Sequence, residues 1–172
     1  MRQIILALGV CCLVGGVAST RIGRKPAAPV ETAAVAAPGG AVTPVVTTAP
    51  NAITLNADER GHFLTEAVVD GRSLRMVVDT GASACVIMEE DAERIGLRPS
   101  PSEFRQEVAT ANGVIRVAPV RLNQVRIGAV SVRDVEAVVV PRGRLHMNLL
   151  GMSFLRRLHD FNIAGGRLTL RS

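Results

Sequence analysis

The chain has 172 residues, with 20 Lys+Arg against 15 Asp+Glu and a formal charge of +5. That length holds one ordinary domain, or a small one with appendages, and excludes a two-lobed enzyme of about 300 residues. With four Phe and no Tyr or Trp, the chain lacks the aromatic platforms on which single-stranded nucleic acids stack, and 48% apolar residues exclude wholesale disorder.

The basic balance is unevenly spread. Residues 1–50 carry Arg2, Arg21, Arg24 and Lys25 against Glu31 alone, so more than half of the net charge lies there. Further on, Arg72, Arg75, Arg116, Arg121, Arg126 and Arg133 fall singly between apolar residues, as on the wet faces of strands. Phosphate binding needs clustering, so no nucleic-acid partner is expected.

At the N-terminus, Ile4–Ala18 is an unbroken apolar run behind Arg2. As a helix it would span roughly 23 Å, against about 30 Å of hydrocarbon. Residues 1–22 therefore read as a signal peptide or a short membrane anchor. Cys11 and Cys12 follow Val10 and Cys11, not the small residue that a lipidation signal places there. Arg21, Arg24 and Lys25 on the far flank oppose export when taken alone. Residues 23–52 are rich in Ala, Val, Thr and Pro, with Pro26, Pro29, Pro38, Pro44 and Pro50 breaking any period. They read as a flexible tether. A domain is left in residues 53–172, expected to face the periplasm from a membrane or to be released there.

That domain reads as strands. His62–Val69 and Ser73–Val78 flank Asp70-Gly71, a pair that tolerates positive φ and so predicts a hairpin. Ala84–Met88 reads as a short buried strand. Residues 89–96 read as a brief helix with acids in its first turn and Gly96 at its end. Phe104–Thr110, Val114–Arg126 and Val130–Val140 are further strands, with Asn112-Gly113 and Gly128-Ala129 as turns. Met152–Leu158 reads as a second short helix. Asp160–Ile163 and Leu168–Leu170 make a last hairpin across Gly165-Gly166. Short strands with regular turns indicate a closed or sandwiched all-β domain.

One segment carries chemistry. Met76-Val77-Val78-Asp79-Thr80-Gly81-Ala82-Ser83 runs an apolar strand into a carboxylate and then into small residues. A carboxylate at the mouth of a core strand is costly unless paired or protonated, which marks Asp79 as a working group. Taken alone, Asp79-Thr80-Gly81 also fits a plain strand-ending turn. Ser83 lacks the serine-hydrolase elbow around it. Cys85 is the only cysteine of the domain and reads as a buried strand residue. His62, His146 and His159 have no metal-ligand spacing, so neither a metal nor another cofactor is expected.

With Asp79-Thr80-Gly81-Ala82-Ser83, Leu149-Leu150-Gly151 ahead of Met152-Ser153-Phe154-Leu155, and Thr110-Ala111-Asn112-Gly113 between them, the chain resembles the retropepsin-like aspartic proteases, and most of all their bacterial, membrane-tethered branch. The resemblance covers roughly Ile53–Leu170. It implies an all-β, closed-barrel half of an acid protease with one or two short helices and its active site at a homodimer interface. In that family two facing carboxylates share a proton, one activating water and the other donating to the scissile carbonyl. Only one Asp-Thr-Gly occurs here, so Asp79 of a second copy would supply the other carboxylate. The resemblance implies that Thr80 locks the two loops across the dimer and that Gly81 accepts backbone contacts from an extended polypeptide substrate. It also implies that Ser83 orients the carboxylate. Residues Thr110–Gly113 would form the flap tip, and Leu149-Leu150-Gly151 would pack under the Asp79 loop. The flap departs from the family in having no aromatic residue. The competing expectation, from another functional class, is a dimeric peptide-binding scaffold on the same fold without turnover.

Overall fold

The computed structural model describes residues 47–110 and 113–172. The apolar run Ile4–Ala18 and most of the expected tether lie outside them. Among the described residues no helix is long and apolar enough to cross a membrane.

Eleven strands and two short helices follow one another: β1 (Thr47–Ala49), β2 (Ala52–Asn56), β3 (Leu64–Val69), β4 (Arg72–Val78), β5 (Cys85–Met88), α1 (Glu89–Arg94), β6 (Gln106–Thr110), β7 (Gly113–Ile127), β8 (Val130–Val140), β9 (Asn148–Leu150), α2 (Met152–Leu155), β10 (Asp160–Ala164) and β11 (Arg167–Arg171). A six-strand barrel runs β3-β4-β9-β5-β8-β7 and closes where Val68 and Val69 of β3 pair with Arg126 and Val125 of β7. Beyond the barrel, β6 pairs with the first part of β7 as a projecting hairpin. A second sheet, β1-β2-β11-β10, joins the two ends of the described chain.

The turn chemistry matches the sequence. Asp70 and Gly71 take φ of 46° and 86°, and Gly165 and Gly166 take 56° and 70°, the left-handed pair of tight hairpins. Asp70 has a second role. Its carboxylate accepts the amides of Gln124 (2.8 Å) and Asn123 (3.3 Å), tying the β3–β4 turn to β7 beside the barrel closure.

Two apolar layers explain the unbroken apolar runs. Cys85 and Ile87 of β5, Ala137 and Val139 of β8, and Leu150 of β9 face the main core, where Ile53, Leu55, Leu168, Leu170, Phe154 and Leu155 also pack. Val86, Val138, Val140 and Leu149, at the alternate positions, face a second cluster with Ala82, Val108 and Val117. Strands buried on both faces lose the polar alternation. The six arginines assigned to wet faces are all exposed.

Four details differ from the sequence reading. Strand β1 lies inside the stretch read as tether, and pairs with β2 through a turn at Asn51 (φ 61°). Strand β9 was not foreseen as a strand, because three residues carry no period. The second helix ends at Leu155, short of Leu158. A 3₁₀ turn at Pro101–Glu103 also escaped notice. Its Ser100 amide and hydroxyl both donate to the Glu103 carboxylate at 2.7 Å, a capping box that holds the Glu103 carboxyl below its ordinary range.

A buried polar knot fixes β9. Asn148 is 1% exposed. Its Oδ1 accepts from the Met88 amide (2.8 Å), and its Nδ2 donates to the Arg75 carbonyl (2.9 Å) and to the Asp91 carboxylate (2.6 Å). Asp91 also accepts from Arg94 at 2.6 Å. One side chain thus ties β4, β5 and α1 to the strand that carries Leu149-Leu150. Replacing Asn148 by Ala leaves a buried carboxylate and a buried amide short of partners. We expect a loss of about 2–4 kcal/mol in stability, read as a lower urea midpoint with unchanged slope.

Candidate active site

Asp79 follows β4 directly. Parallel pairing aligns Val77 with Leu149 and Val78 with Leu150, and the next amide, that of Asp79, donates to the Leu150 carbonyl at 3.1 Å. The chain then turns on itself. The Gly81 amide donates to Asp79 Oδ1 at 2.8 Å, and the Ala82 amide to the Asp79 carbonyl at 3.3 Å. An Asp side chain that accepts from the amide two residues on is a local turn device. Here it also orients one carboxylate oxygen and leaves Oδ2 outside that bond. Asp79 is half-buried, and Thr80 beside it is exposed.

The loop 79–85 is then clamped from beneath. The Met152 amide donates to the Ala82 carbonyl at 2.7 Å. Ser153 Oγ accepts from the Cys85 amide (2.9 Å) and donates to the Glu136 carbonyl (2.7 Å). Between these contacts lies Gly151. A Cβ placed there would stand 2.1 Å from the Ala84 carbonyl oxygen and 2.8 Å from that of Ala82, distances at which backbone must move. Leu149-Leu150-Gly151 therefore lies against the Asp79 loop, and only glycine permits the approach.

The predicted site residues are distributed as follows. Asp79, Thr80, Gly81, Ala82 and Ser83 form one loop against Leu149, Leu150 and Gly151. Ala82 is fully buried in the second apolar cluster, where Val77 and Ile115 also pack. Ser83 Oγ is buried and finds no hydrogen-bond partner among the described residues. Thr110 forms the last pair of the β6–β7 hairpin before its turn, its Oγ1 donating to the Gly113 carbonyl at 2.7 Å. Gly113 takes φ 106°. Ala111 and Asn112 lie outside the described residues. Cys85 is fully buried, and desolvation pushes its thiol up, which suits a packing residue and not a nucleophile.

Three contributors were missed from sequence: Ser153, Asn148 and Asp91. Ser153 stood in the quoted motif without a role. The other two act through partners distant in the chain, and only the polar letter inside His146–Gly151 hinted at Asn148.

Gly151→Ala is expected to cost at least about 4 kcal/mol or to prevent folding, because the clash is with backbone. Gly96→Ala serves as the control. Gly96 has φ 87° but open space around a Cβ, so the cost there is about 1–2 kcal/mol. Paired thermal melts that show equal losses would contradict the steric account.

The comparisons with known proteins agree with this geometry. A family model, gag-polyprotein putative aspartyl protease, matches residues 65–157. The chain is 46% identical over 111 residues to an uncharacterised protein from the cobV 5′ region of a Sinorhizobium species, covering 64% of this chain and 48% of that protein. It is 37% identical over 103 residues to an uncharacterised protein of Rickettsia prowazekii (strain Madrid E), covering 60% and 44%. The matched part thus spans about half the length of these relatives. Among solved structures, a retropepsin-like aspartic protease from Rickettsia conorii is 34% identical, with a TM-score of 0.64, covering 73% of this chain and 93% of that one. With the family model spanning the Asp79 loop, the β6–β7 hairpin and Gly151, the chain belongs to the gag-polyprotein putative aspartyl protease family and has a retropepsin-like fold.

Proposed function

We propose that the protein is an aspartic endopeptidase active as a homodimer, in which Asp79 of each copy contributes one carboxylate to a shared site. The observation that carries this reading is the Asp79 loop itself. A half-buried carboxylate is held by backbone at the edge of an apolar wall, with exposed Thr80 alongside. The 172 residues hold no second acid followed by Thr-Gly or Ser-Gly, which supports a second copy as the source of the other carboxylate. Two facing carboxylates share one proton. The ionised one takes a proton from water as it attacks the peptide carbonyl, and the protonated one donates to the carbonyl oxygen. The buried Ser83 hydroxyl, without a hydrogen-bond partner among the described residues, also supports an incomplete half, since such a group costs about 1–3 kcal/mol when left unsatisfied. Thr80 locks the paired loops, Gly81 meets the substrate backbone, and residues 110–113 cover an extended peptide and exclude water.

Asp79→Asn is expected to lower cleavage of a quenched peptide library by roughly 10³-fold between about pH 4 and 7, with folding intact. Cleavage that persists in the variant would sink the mechanism. Peptide binding without turnover in the wild type would favour the scaffold reading. Sedimentation is expected to show dimers that accumulate with concentration or with a transition-state mimic; monomer alone in both conditions would sink the shared dyad.

We infer further that the Ile4–Ala18 run and its proline-rich tether carry the domain to the periplasmic side of a membrane, where confinement concentrates weakly dimerising copies. An export-dependent reporter fused after Pro50 is expected to be active. An inactive fusion beside an active cytoplasmic one would reverse the assignment.

A further inference from the structure

Beside the first part of β7, an open pocket of about 370 Å³ is lined by Phe104, Val114, Ile115, Arg116, Pro141 and Arg144. Four of these are apolar, two carry guanidinium groups, and none is acidic. Val114 is 66% exposed, the more open of the two large exposed hydrophobics among the described residues. An apolar floor with two cations at its edge is the complement of a short anionic group on an apolar stem.

The loop that brings Arg144 here is built. The Arg142 amide donates to the Glu89 carboxylate at 3.0 Å, and its guanidinium meets Glu93 at 2.6 Å and Glu90 at 3.8 Å. These bonds bind one end of the loop to α1. Leu145 packs against the second apolar cluster at the other end. Between them Gly143 turns at φ 73°, and the Arg144 amide returns to the Pro141 carbonyl at 3.3 Å. The acids of α1 thus engage Arg142 and leave Arg144 with no ion pair among the described residues. Among the described residues Arg116 has one carboxylate neighbour, Glu107, at 3.5 Å with both side chains mostly exposed. Such a pair holds little energy and yields readily to a ligand carboxylate.

We propose that this pocket is a specificity subsite for an acidic side chain, Glu or Asp, of the polypeptide substrate. The carboxylate lies between Arg144 and Arg116, and the stem rests on Phe104, Ile115 and Pro141. This rests on the protease reading, since β7 supplies both a wall of the pocket and an arm of the flap that covers the peptide. It narrows the substrate class to chains that carry an acidic residue.

The test reads binding separately from turnover. Labelled Ala/Val peptides of roughly ten residues, carrying a single Glu, Gln or Lys at successive positions, are titrated against full-length Asp79→Asn protein by fluorescence anisotropy. At one position Glu is expected to bind about tenfold more tightly than Gln, and Lys more weakly than either. Arg144→Glu should reverse the order, Arg116→Gln should reduce the gap, and high ionic strength should shrink it. Both side chains are exposed, so neither change threatens the fold. Equal affinity for Glu and Gln at every position, no binding of any peptide, or a Glu preference untouched by Arg144→Glu overturns the subsite. The same peptides given to wild-type protein separate the two readings. Glu-selective binding without cleavage sinks the protease and keeps the pocket, whereas cleavage indifferent to Glu does the reverse.

Discussion

The parallel contact between β4 and β9 is the constraint on which the site depends. It brings the Leu150 carbonyl to the Asp79 amide, and one residue later it lays Gly151 against the carbonyls of Ala82 and Ala84. From there the Met152 amide and the Ser153 hydroxyl take up the Ala82 carbonyl and the Cys85 amide. Almost every link in this chain is a backbone group, and backbone positions tolerate side-chain change well. The exceptions are the places where a side chain is part of the link: a hydrogen at residue 151, a hydroxyl at 153 and an amide at 148. Those three positions and Asp79 itself carry the geometry.

The position of β9 is in turn set from outside the site. Three residues of strand do not hold a register by themselves, because a slip of one residue moves Leu149 and Leu150 to opposite layers. Asn148 removes that freedom by bonding to three different segments at once. A buried amide suits a place where specificity matters more than net energy, since an apolar residue there would pack but would not distinguish one register from the next. The same knot reaches α1 through Asp91, and α1 also anchors Arg142 through Glu89, Glu90 and Glu93. One short helix therefore steadies both the strand beneath the carboxylate and the loop that bears Arg144.

What could be read from the sequence was local. Asp70-Gly71 and Gly165-Gly166 state their turns by needing positive φ, and the acids of residues 89–93 with Gly96 state a helix. The apolar blocks at 85–88 and 137–140 state burial on both faces. The Asp79 loop and Gly151 could be paired only through the family resemblance, because nothing in either segment names the other. What could not be read was long-range or brief. Strand β9 is too short to show a period, and β1 hides among prolines. Asp91 looked like one more exposed acid in a first turn, until the fold placed Asn148 against it. Ser83 and Ser153 look alike as letters. Yet Ser153 bridges two backbone groups, while Ser83 lies buried without a partner among the described residues.

The apolar cluster that holds Ala82, Val86 and Leu149 also takes Val108, Val117 and Ile115 from the β6–β7 hairpin and Leu145 from the 141–147 loop. The carboxylate loop, the β6–β7 hairpin and the loop bearing Arg144 therefore share one packing unit, though they are held to it differently. The carboxylate loop is fixed by hydrogen bonds to β9 and α2, so losing a methylene from the shared cluster does not release Asp79. The β6–β7 hairpin and the 141–147 loop depend on that packing and on ion pairs at the surface, which are weaker and more easily rearranged. Divergence among related chains should therefore concentrate on those two segments, which can change without moving the Asp79 carboxylate.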